Sequence, residues 1–235
     1  MNNVDDILVV IPARGGSKGI PMKNIKPLNG KPLLKYSIEF ALKHFKKEQI
    51  VVSTDHKDIQ RVAQSCGIPT PTLRPNHLAQ DKSATYDVLL DIIKQNKAEG
   101  FNFNRVLLLQ PTSPFRSSNH LINILEMDRP NIDMIVSVKE AKSNPYFNLF
   151  EEDNLGFLAL SKQSDVAGRQ FAPKVYEYNG SIYLMKIARL EKNKISEFDR
   201  VKKYIMTSIQ SLDLDTQLDW DFAEHMLKEN KIELD

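Results

Sequence analysis

Short, uninterrupted apolar runs alternate with helical patterns through the first two-thirds of this chain. Ile7-Leu8-Val9-Val10-Ile11 is the first run, and others cover 50–54, 106–109 and 134–138. Runs with no polar alternation are expected of strands buried on both faces. Between them, Leu33, Tyr36, Ile38, Phe40 and Ala41 form an apolar helix face that Pro32 can start. Ile59, Val62 and Ala63 mark a second helix, ending near Gly67. Val88, Leu89, Ile92 and Ile93 mark a third, and Leu121, Ile122 and Leu125 a fourth. Strand–helix alternation at this spacing predicts βαβ units, and hence an α/β fold with a doubly wound, mostly parallel sheet.

The alternation breaks after Val138. Residues 139–179 are polar, with scattered aromatics at Tyr146, Phe147, Phe150, Phe157 and Phe171. A strand signal returns at 181–185, a charged stretch covers 192–203, a strand is expected at 204–207, and a last helix starts at about Thr216. We read 139–179 and 186–203 as excursions from one sheet within a single domain spanning 1–235. Their aromatics, Phe198 included, need a surface to bury against, and a second copy of the chain is one candidate.

Composition narrows the function classes. Thirty-two Lys and Arg against thirty Asp and Glu leave a net charge of +2, which argues against a protein living on bulk nucleic-acid affinity. The single cysteine, Cys66, excludes a disulfide framework and a Cys-based zinc cluster. The first apolar run is too short to span a bilayer, and Asp5 and Asp6 sit where a signal peptide would be positive. A cytoplasmic location, away from membranes and nucleic acid, is the expectation.

The chemistry concentrates where strands end. After the first run the chain reads Pro12-Ala13-Arg14-Gly15-Gly16-Ser17-Lys18-Gly19-Ile20-Pro21-Met22-Lys23-Asn24. Ligands of open α/β sheets bind outside the carboxyl ends of the strands. Glycines let a backbone approach closely and offer N–H donors; Arg14, Lys18 and Lys23 add positive charge, and Ser17 a hydroxyl. That chemistry suits a polyphosphate. The order fits neither the Walker loop nor the dinucleotide turn. The alternative is a solvated glycine turn with incidental lysines.

A second feature is Ser211-Leu212-Asp213-Leu214-Asp215-Thr216. Alternate residues of an extended segment face one way, so Asp213 and Asp215 can present two carboxylates to one point. Beside a polyphosphate, that suits Mg²⁺. Alternatively, Asp213 only polarises the surface and Asp215 caps the next helix. Asp219 and Asp221 read as helix N-terminal charges. The strings 53–55, 73–75, 78–85 and 110–116 supply further polar loops. The five histidines, His44, His56, His77, His120 and His225, read as scattered surface residues with no metal-ligand spacing.

Taken together, IPARGGSKGIPMKN, VVSTD, LRP, LAQD, LLLQPTSPFR, NGSIY and SLDLDTQLD resemble, in order and spacing, the acylneuraminate cytidylyltransferases, or CMP-sialic acid synthetases. The resemblance runs from about Ile7 to the last helix. It implies a Rossmann-like nucleotidyltransferase fold and transfer of CMP from CTP to the anomeric hydroxyl of a nine-carbon 2-keto sugar acid, with release of pyrophosphate. It also implies Mg²⁺ and a homodimer in which the excursions reach the partner's site. Residue by residue, it implies triphosphate contacts at Arg14, Gly16, Ser17, Lys18, Lys23 and Asn24. Cytosine and ribose fall to Ala13, Arg74 and Thr85, the acceptor to Gln110 and Arg169, and the metal to Asp213 and Asp215. Arg14 and Lys23 then stabilise the leaving pyrophosphate, and Asp215, directly or through a metal-bound water, is the candidate base.

Two positions depart from the family. In members that use sialic acid, a lysine often follows a His-Pro pair near the acceptor; here Ser143-Asn144-Pro145-Tyr146-Phe147-Asn148 puts Phe147 in its place. An aromatic pair supplied by the partner is reduced to Phe198 in Ile195-Ser196-Glu197-Phe198-Asp199. Legionaminic and pseudaminic acids therefore stand beside N-acylneuraminate as acceptors.

Overall fold

A computed structural model describes residues 4–17, 19–70, 72–79, 85–166 and 168–232. In chain order the elements are β1 (Ile7–Pro12), β2 (Pro27–Leu28), β3 (Lys31–Pro32), α1 (Leu33–His44), β4 (Ile50–Ser53) and α2 (Lys57–Ser65). Then come α3 (Thr85–Ala98), β5 (Arg105–Leu108), α4 (Ser118–Met127), β6 (Met134–Glu140), β7 (Phe150–Glu152) and β8 (Leu158–Leu160). The last are β9 (Tyr176–Lys186), α5 (Ile187–Leu190), β10 (Val201–Ile205) and α6 (Gln217–Lys228).

Six strands form the central sheet in the order β10-β6-β9-β5-β1-β4. β1 pairs parallel with β4 and β5, β6 pairs parallel with β10, and only β9 runs antiparallel, between β5 and β6. The expected mostly parallel, doubly wound sheet is therefore present. Its two faces divide β1 residue by residue. Ile7, Val9 and Ile11 pack with Leu34 and Ile38 of α1, Ile59 and Ala63 of α2, and Leu121 and Ile124 of α4. Leu8 and Val10 pack on the opposite side with Leu89, Ile92 and Ile93 of α3 and with Ile187 and Leu190 of α5. Burial on both faces is why the strand sequences carry no polar alternation.

A third apolar cluster lies outside the sheet and bears directly on the site. Ile20 of the glycine-rich loop, Leu214 between the two aspartates, and Trp220, Ala223 and Leu227 of α6 pack together with Leu28, Leu33, Tyr36 and Phe115. Fully burying a side chain such as Leu or Ile contributes on the order of 1.5–3 kcal/mol. The two charged segments are thus held together from below by apolar neighbours.

The structure corrects several expectations about the last third. β9 begins at Tyr176, well before the strand expected at 181–185. A register shift between Val136 and Val138 of β6, together with Gly180 at φ +73°, lets it continue back through a polar stretch. β10 occupies Val201–Ile205, so part of the charged stretch is a strand. Phe198 is only 8 % exposed and packs in the second core cluster of its own chain, so it needs no partner surface. His120 is buried, and its Nδ1 accepts a hydrogen bond from the Ser117 backbone at 3.0 Å in the cap of α4. Among the described residues no helix is long and apolar enough to cross a membrane.

Candidate active site

A cleft of about 610 Å³ is lined by Pro12, Arg14, Ser17, Gly19, Lys23, Asn24, Arg74, Leu78, Thr85, Val88, Gln110, Thr112 and Asp215. It lies beyond the carboxyl ends of β1, β4 and β5, where a doubly wound sheet opens. Eight of the residues singled out from sequence come together here: Arg14, Ser17, Lys23, Asn24, Arg74, Thr85, Gln110 and Asp215.

The loop after β1 is held in shape by its neighbours. The Gly15 backbone donates to Asp55 Oδ1 at 2.8 Å, and a Cβ on Gly15 would sit 2.9 Å from the His56 side chain. Asn24 Nδ2 donates to the Arg14 carbonyl at 2.8 Å, closing the loop on itself. Gly19 approaches the other half of the site: a Cβ there would lie 2.1 Å from the Asp215 carbonyl oxygen. No side chain fits that gap unless backbone moves. Gly15 and Gly19 thus serve close packing of the loop against its surroundings, whereas a Cβ on Gly16 would meet nothing within 4 Å.

Charge is concentrated and partly desolvated. Lys23 is buried, and its Nζ reaches Oδ1 of the exposed Asp215 at 2.8 Å. Arg74 donates from Nε to Ser53 Oγ at 3.0 Å and from its terminal nitrogen to the Ser53 carbonyl at 2.6 Å. Burial lowers the Arg74 pKa, opposed by Asp55 and reinforced by Arg14. Two guanidiniums close enough to repel leave the cleft short of negative charge, a setting for phosphate oxygens.

Asp213 lies behind the cleft wall. Burial pushes its carboxyl above the usual carboxylate range, a hydrogen bond from Thr112 opposes this, and Asp215 adds to it. The Leu214 backbone donates to the Thr112 carbonyl at 2.9 Å, which fastens the aspartate segment to the loop after β5. Oδ1 of Asp213 is buried and has no hydrogen-bond partner among the described residues. Among the described residues no three His, Cys, Asp or Glu side chains converge on one point. Asp213 and Asp215 are the two carboxylates of this segment, near enough for the Asp215 charge to bear on Asp213, and among the described residues one Asp213 oxygen is unsatisfied. That donor set fits Mg²⁺, which takes one or two carboxylates and completes its shell with water and phosphate oxygens. Asp215 does not cap α6. Thr216 is the N-cap, accepting from the Asp219 backbone at 3.3 Å while Asp219 Oδ2 accepts from the Thr216 backbone at 2.7 Å.

The remaining sequence candidates fall elsewhere. Ala13 is fully buried, its backbone donating to the Ser53 carbonyl at 2.8 Å; Gly16 is exposed beside the cleft and does not line it. Lys18 lies outside the described residues. Arg169 is exposed on a one-turn 3-10 helix and lines a separate hollow with Lys142, Asn144 and Lys174, so this chain does not bring it to its own cleft. Sequence reasoning named Gly19 within the loop, and missed Leu78, Val88 and Thr112 as lining residues. Val88 reads as helix core by its spacing and Thr112 as a cap; only the Gly19–Ile20 step next to an apolar anchor could have signalled that loop's docking.

The cytidylyltransferase family model matches residues 8–232. A CMP-N,N'-diacetyllegionaminic acid synthase of Legionella pneumophila is 35 % identical over 228 residues, covering 96 % of this chain and 97 % of the relative. An N-acylneuraminate cytidylyltransferase of Escherichia coli is 34 % identical over 224 residues, covering 92 % of this chain but 51 % of that longer protein. Among solved structures, a CMP:2-keto-3-deoxy-manno-octonic acid synthetase complexed with CTP superposes with a TM-score of 0.71 at 15 % identity, over 95 % of this chain and 99 % of the other. A 4-diphosphocytidyl-2C-methyl-D-erythritol synthase of Anaerococcus prevotii shares the fold at a TM-score of 0.59 and 15 % identity, over 94 % of this chain and 98 % of the other. With the family model spanning nearly the whole chain, and the cleft sitting where its motifs meet, this chain belongs to the cytidylyltransferase family.

Proposed function

We propose that this chain transfers CMP from CTP to the anomeric hydroxyl of a nine-carbon 2-keto sugar acid and releases pyrophosphate. The observation that carries the reading is the single cleft in which Arg14, Lys23 and Arg74 face Asp215 and Gln110. Nucleotidyl transfer asks the protein for position and charge neutralisation more than for covalent help. Arg14 and Lys23 hold the phosphates and stabilise the charge that grows on the leaving pyrophosphate. Arg74 and Thr85, in the same lining, serve the nucleoside in this reading. Gln110, also in the lining, orients the sugar so that its hydroxyl meets the α-phosphorus in line. Asp215 is the candidate to take the hydroxyl proton once Lys23 turns from it toward phosphate. Asp213 and Asp215 are the residues that would hold Mg²⁺, which when bound neutralises phosphate charge.

Among nonulosonic acids, a legionaminic-type acceptor is favoured over N-acetylneuraminic acid. Two observations support it: the end-to-end match to a relative named for legionaminic acid, and Phe147 where sialic-acid users often carry lysine. A homodimer belongs to the same reading. Phe147, Phe150, Phe157 and Phe171 stand exposed on residues 141–175, with Arg169 among them, and a second copy would bury them and bring Arg169 to a neighbouring cleft.

The test is pyrophosphate release with Mg²⁺ across CTP, UTP, GTP and ATP, each paired with N-acetylneuraminic, N,N'-diacetyllegionaminic and pseudaminic acids. CTP with the legionaminic acid is expected to give the highest kcat/KM. Pyrophosphate release from another nucleotide at equal efficiency, or from none, would reject the proposal.

A further inference from the structure

Arg116 is an arginine in the wrong place for an ordinary charge. It is 3 % exposed, and burial lowers its pKa to about 9, with no carboxylate of the described residues acting on it. A buried cation without an anion is costly unless its donors are well used. Here they are. Nη1 donates to Ser37 Oγ of α1 at 2.7 Å, and Nε points to Ser181 Oγ of β9 at 3.3 Å. Nη2 donates to two carbonyls of the loop after β5, Gln110 at 2.5 Å and Ser113 at 2.7 Å. The guanidinium also lies over the Phe40 ring, 5.7 Å from its centroid. One planar fork therefore ties α1, β9 and the turn that begins at Gln110.

The same turn is pressed from its other side by Gly180. At φ +73°, this residue has no room for a side chain: a Cβ would lie 2.7 Å from Gln110 Oε1 and 2.8 Å from Ser113 Oγ. Ser113 Oγ in turn donates to the Asn179 carbonyl at 2.9 Å. The backbone of Gln110 is thus fixed by Arg116, and its side-chain amide rests on the bare backbone of Gly180.

We infer that Arg116 and Gly180 are positioning residues that aim the Gln110 amide at the acceptor sugar, and so set affinity for the sugar while leaving CTP binding alone. This rests on reading Gln110 as an acceptor contact. A lysine at 116 would keep the charge and the stem but could not span four acceptors. A methyl group at 180 would push the amide aside. Misplacement of a contact by a fraction of an ångström to an ångström is enough to weaken it severely.

The experiment is steady-state kinetics of the full chain with CTP, Mg²⁺ and N,N'-diacetyllegionaminic acid, for Arg116→Lys, Gly180→Ala, Ser37→Ala and Gln110→Ala. The first two are expected to raise the sugar KM about tenfold and leave the CTP KM within about twofold. Ser37→Ala, which removes a single acceptor from Arg116, is expected to give a smaller shift in the same direction and serves if Arg116→Lys does not fold. If Gln110→Ala raises the sugar KM but Gly180→Ala and the folded Arg116 or Ser37 variants do not, the positioning role is overturned and the Gln110 reading stands. If Gln110→Ala itself leaves the sugar KM unchanged, both fall. Equal rises in the sugar and CTP KM would mark general damage to the fold, and would overturn the inference too.

Discussion

The nucleotide cleft and the 141–175 segment are built by opposite rules. In the cleft, Ile20 and Leu214 of the two charged segments are buried together in one apolar cluster of their own chain, and Lys23 meets Asp215. In the segment, the short β7–β8 hairpin turns on Asp153, whose Oδ1 accepts from the Leu155 and Phe157 backbones at 2.8 and 2.9 Å, yet Phe157 and Phe171 remain 68 and 69 % exposed. At its base the segment closes on itself, Ala141 donating to the Val175 carbonyl at 3.0 Å and Asn144 Nδ2 to the Pro173 carbonyl at 2.8 Å, and Lys174 pairs with Glu140 of β6 at 2.9 Å. The difference teaches that the cleft's apolar anchors are buried by their own chain, whereas the segment leaves its aromatics exposed. Burying an aromatic of this size contributes on the order of 2–3 kcal/mol, so the exposed group represents stability that a second surface could recover.

That contrast can be broken at either end. The largest effect is expected at the aspartates. Asp213→Asn or Asp215→Asn should cut kcat about a hundredfold or more, with the thermal melting profile retained, and chelation of Mg²⁺ should do the same reversibly. Near-normal turnover in both variants would remove the metal from the account. Next comes Gly19→Ala, whose Cβ has to displace the Asp215 carbonyl 2.1 Å away. It should separate the loop from the aspartates and lower kcat/KM for CTP by about ten- to a hundredfold, which pyrophosphate-release kinetics would read. Lys23→Ala removes one charged contact and should weaken CTP by about tenfold in calorimetric titration, with Lys97→Ala, an exposed residue ion-paired with Glu191, as the neutral control.

At the other end, Phe157→Asp paired with Phe171→Asp should convert a dimer to a monomer in light scattering while CTP binding by that monomer stays within about twofold. A wild-type monomer at micromolar concentration would show that the segment serves some other surface. Equal loss of CTP binding on dissociation would show that the cleft is not self-contained.

Much of this was legible in the residues, for reasons that also explain the gaps. Strands buried on both faces announce themselves as unbroken apolar runs, so β1, β4, β5 and β6 were readable to within a residue or two. β10 was not, because it pairs on one side only: Lys202 and Lys203 face solvent at the sheet edge, where charge discourages pairing with another chain and hides the strand signal. The start of β9 was hidden by Glu177, Tyr178 and Asn179, which belong to the strand only because the bulge and Gly180 bend it. Within the cleft, charge and glycine at a strand end pointed to the loop, and spacing pointed to the aspartates. What spacing could not show was which groups are buried. Arg116 looked like the tail of a polar string, and is instead the fork on which the Gln110 turn is hung.

The most direct measurement follows the oxygen that joins nucleotide to sugar. With the anomeric hydroxyl of N,N'-diacetyllegionaminic acid labelled with ¹⁸O, incubation with CTP, Mg²⁺ and the full chain should give a CMP-sugar that carries the label in mass spectrometry, and unlabelled pyrophosphate. That result requires the sugar hydroxyl to attack the α-phosphorus. Label in the pyrophosphate, or CTP consumed without any labelled CMP-sugar, would contradict it.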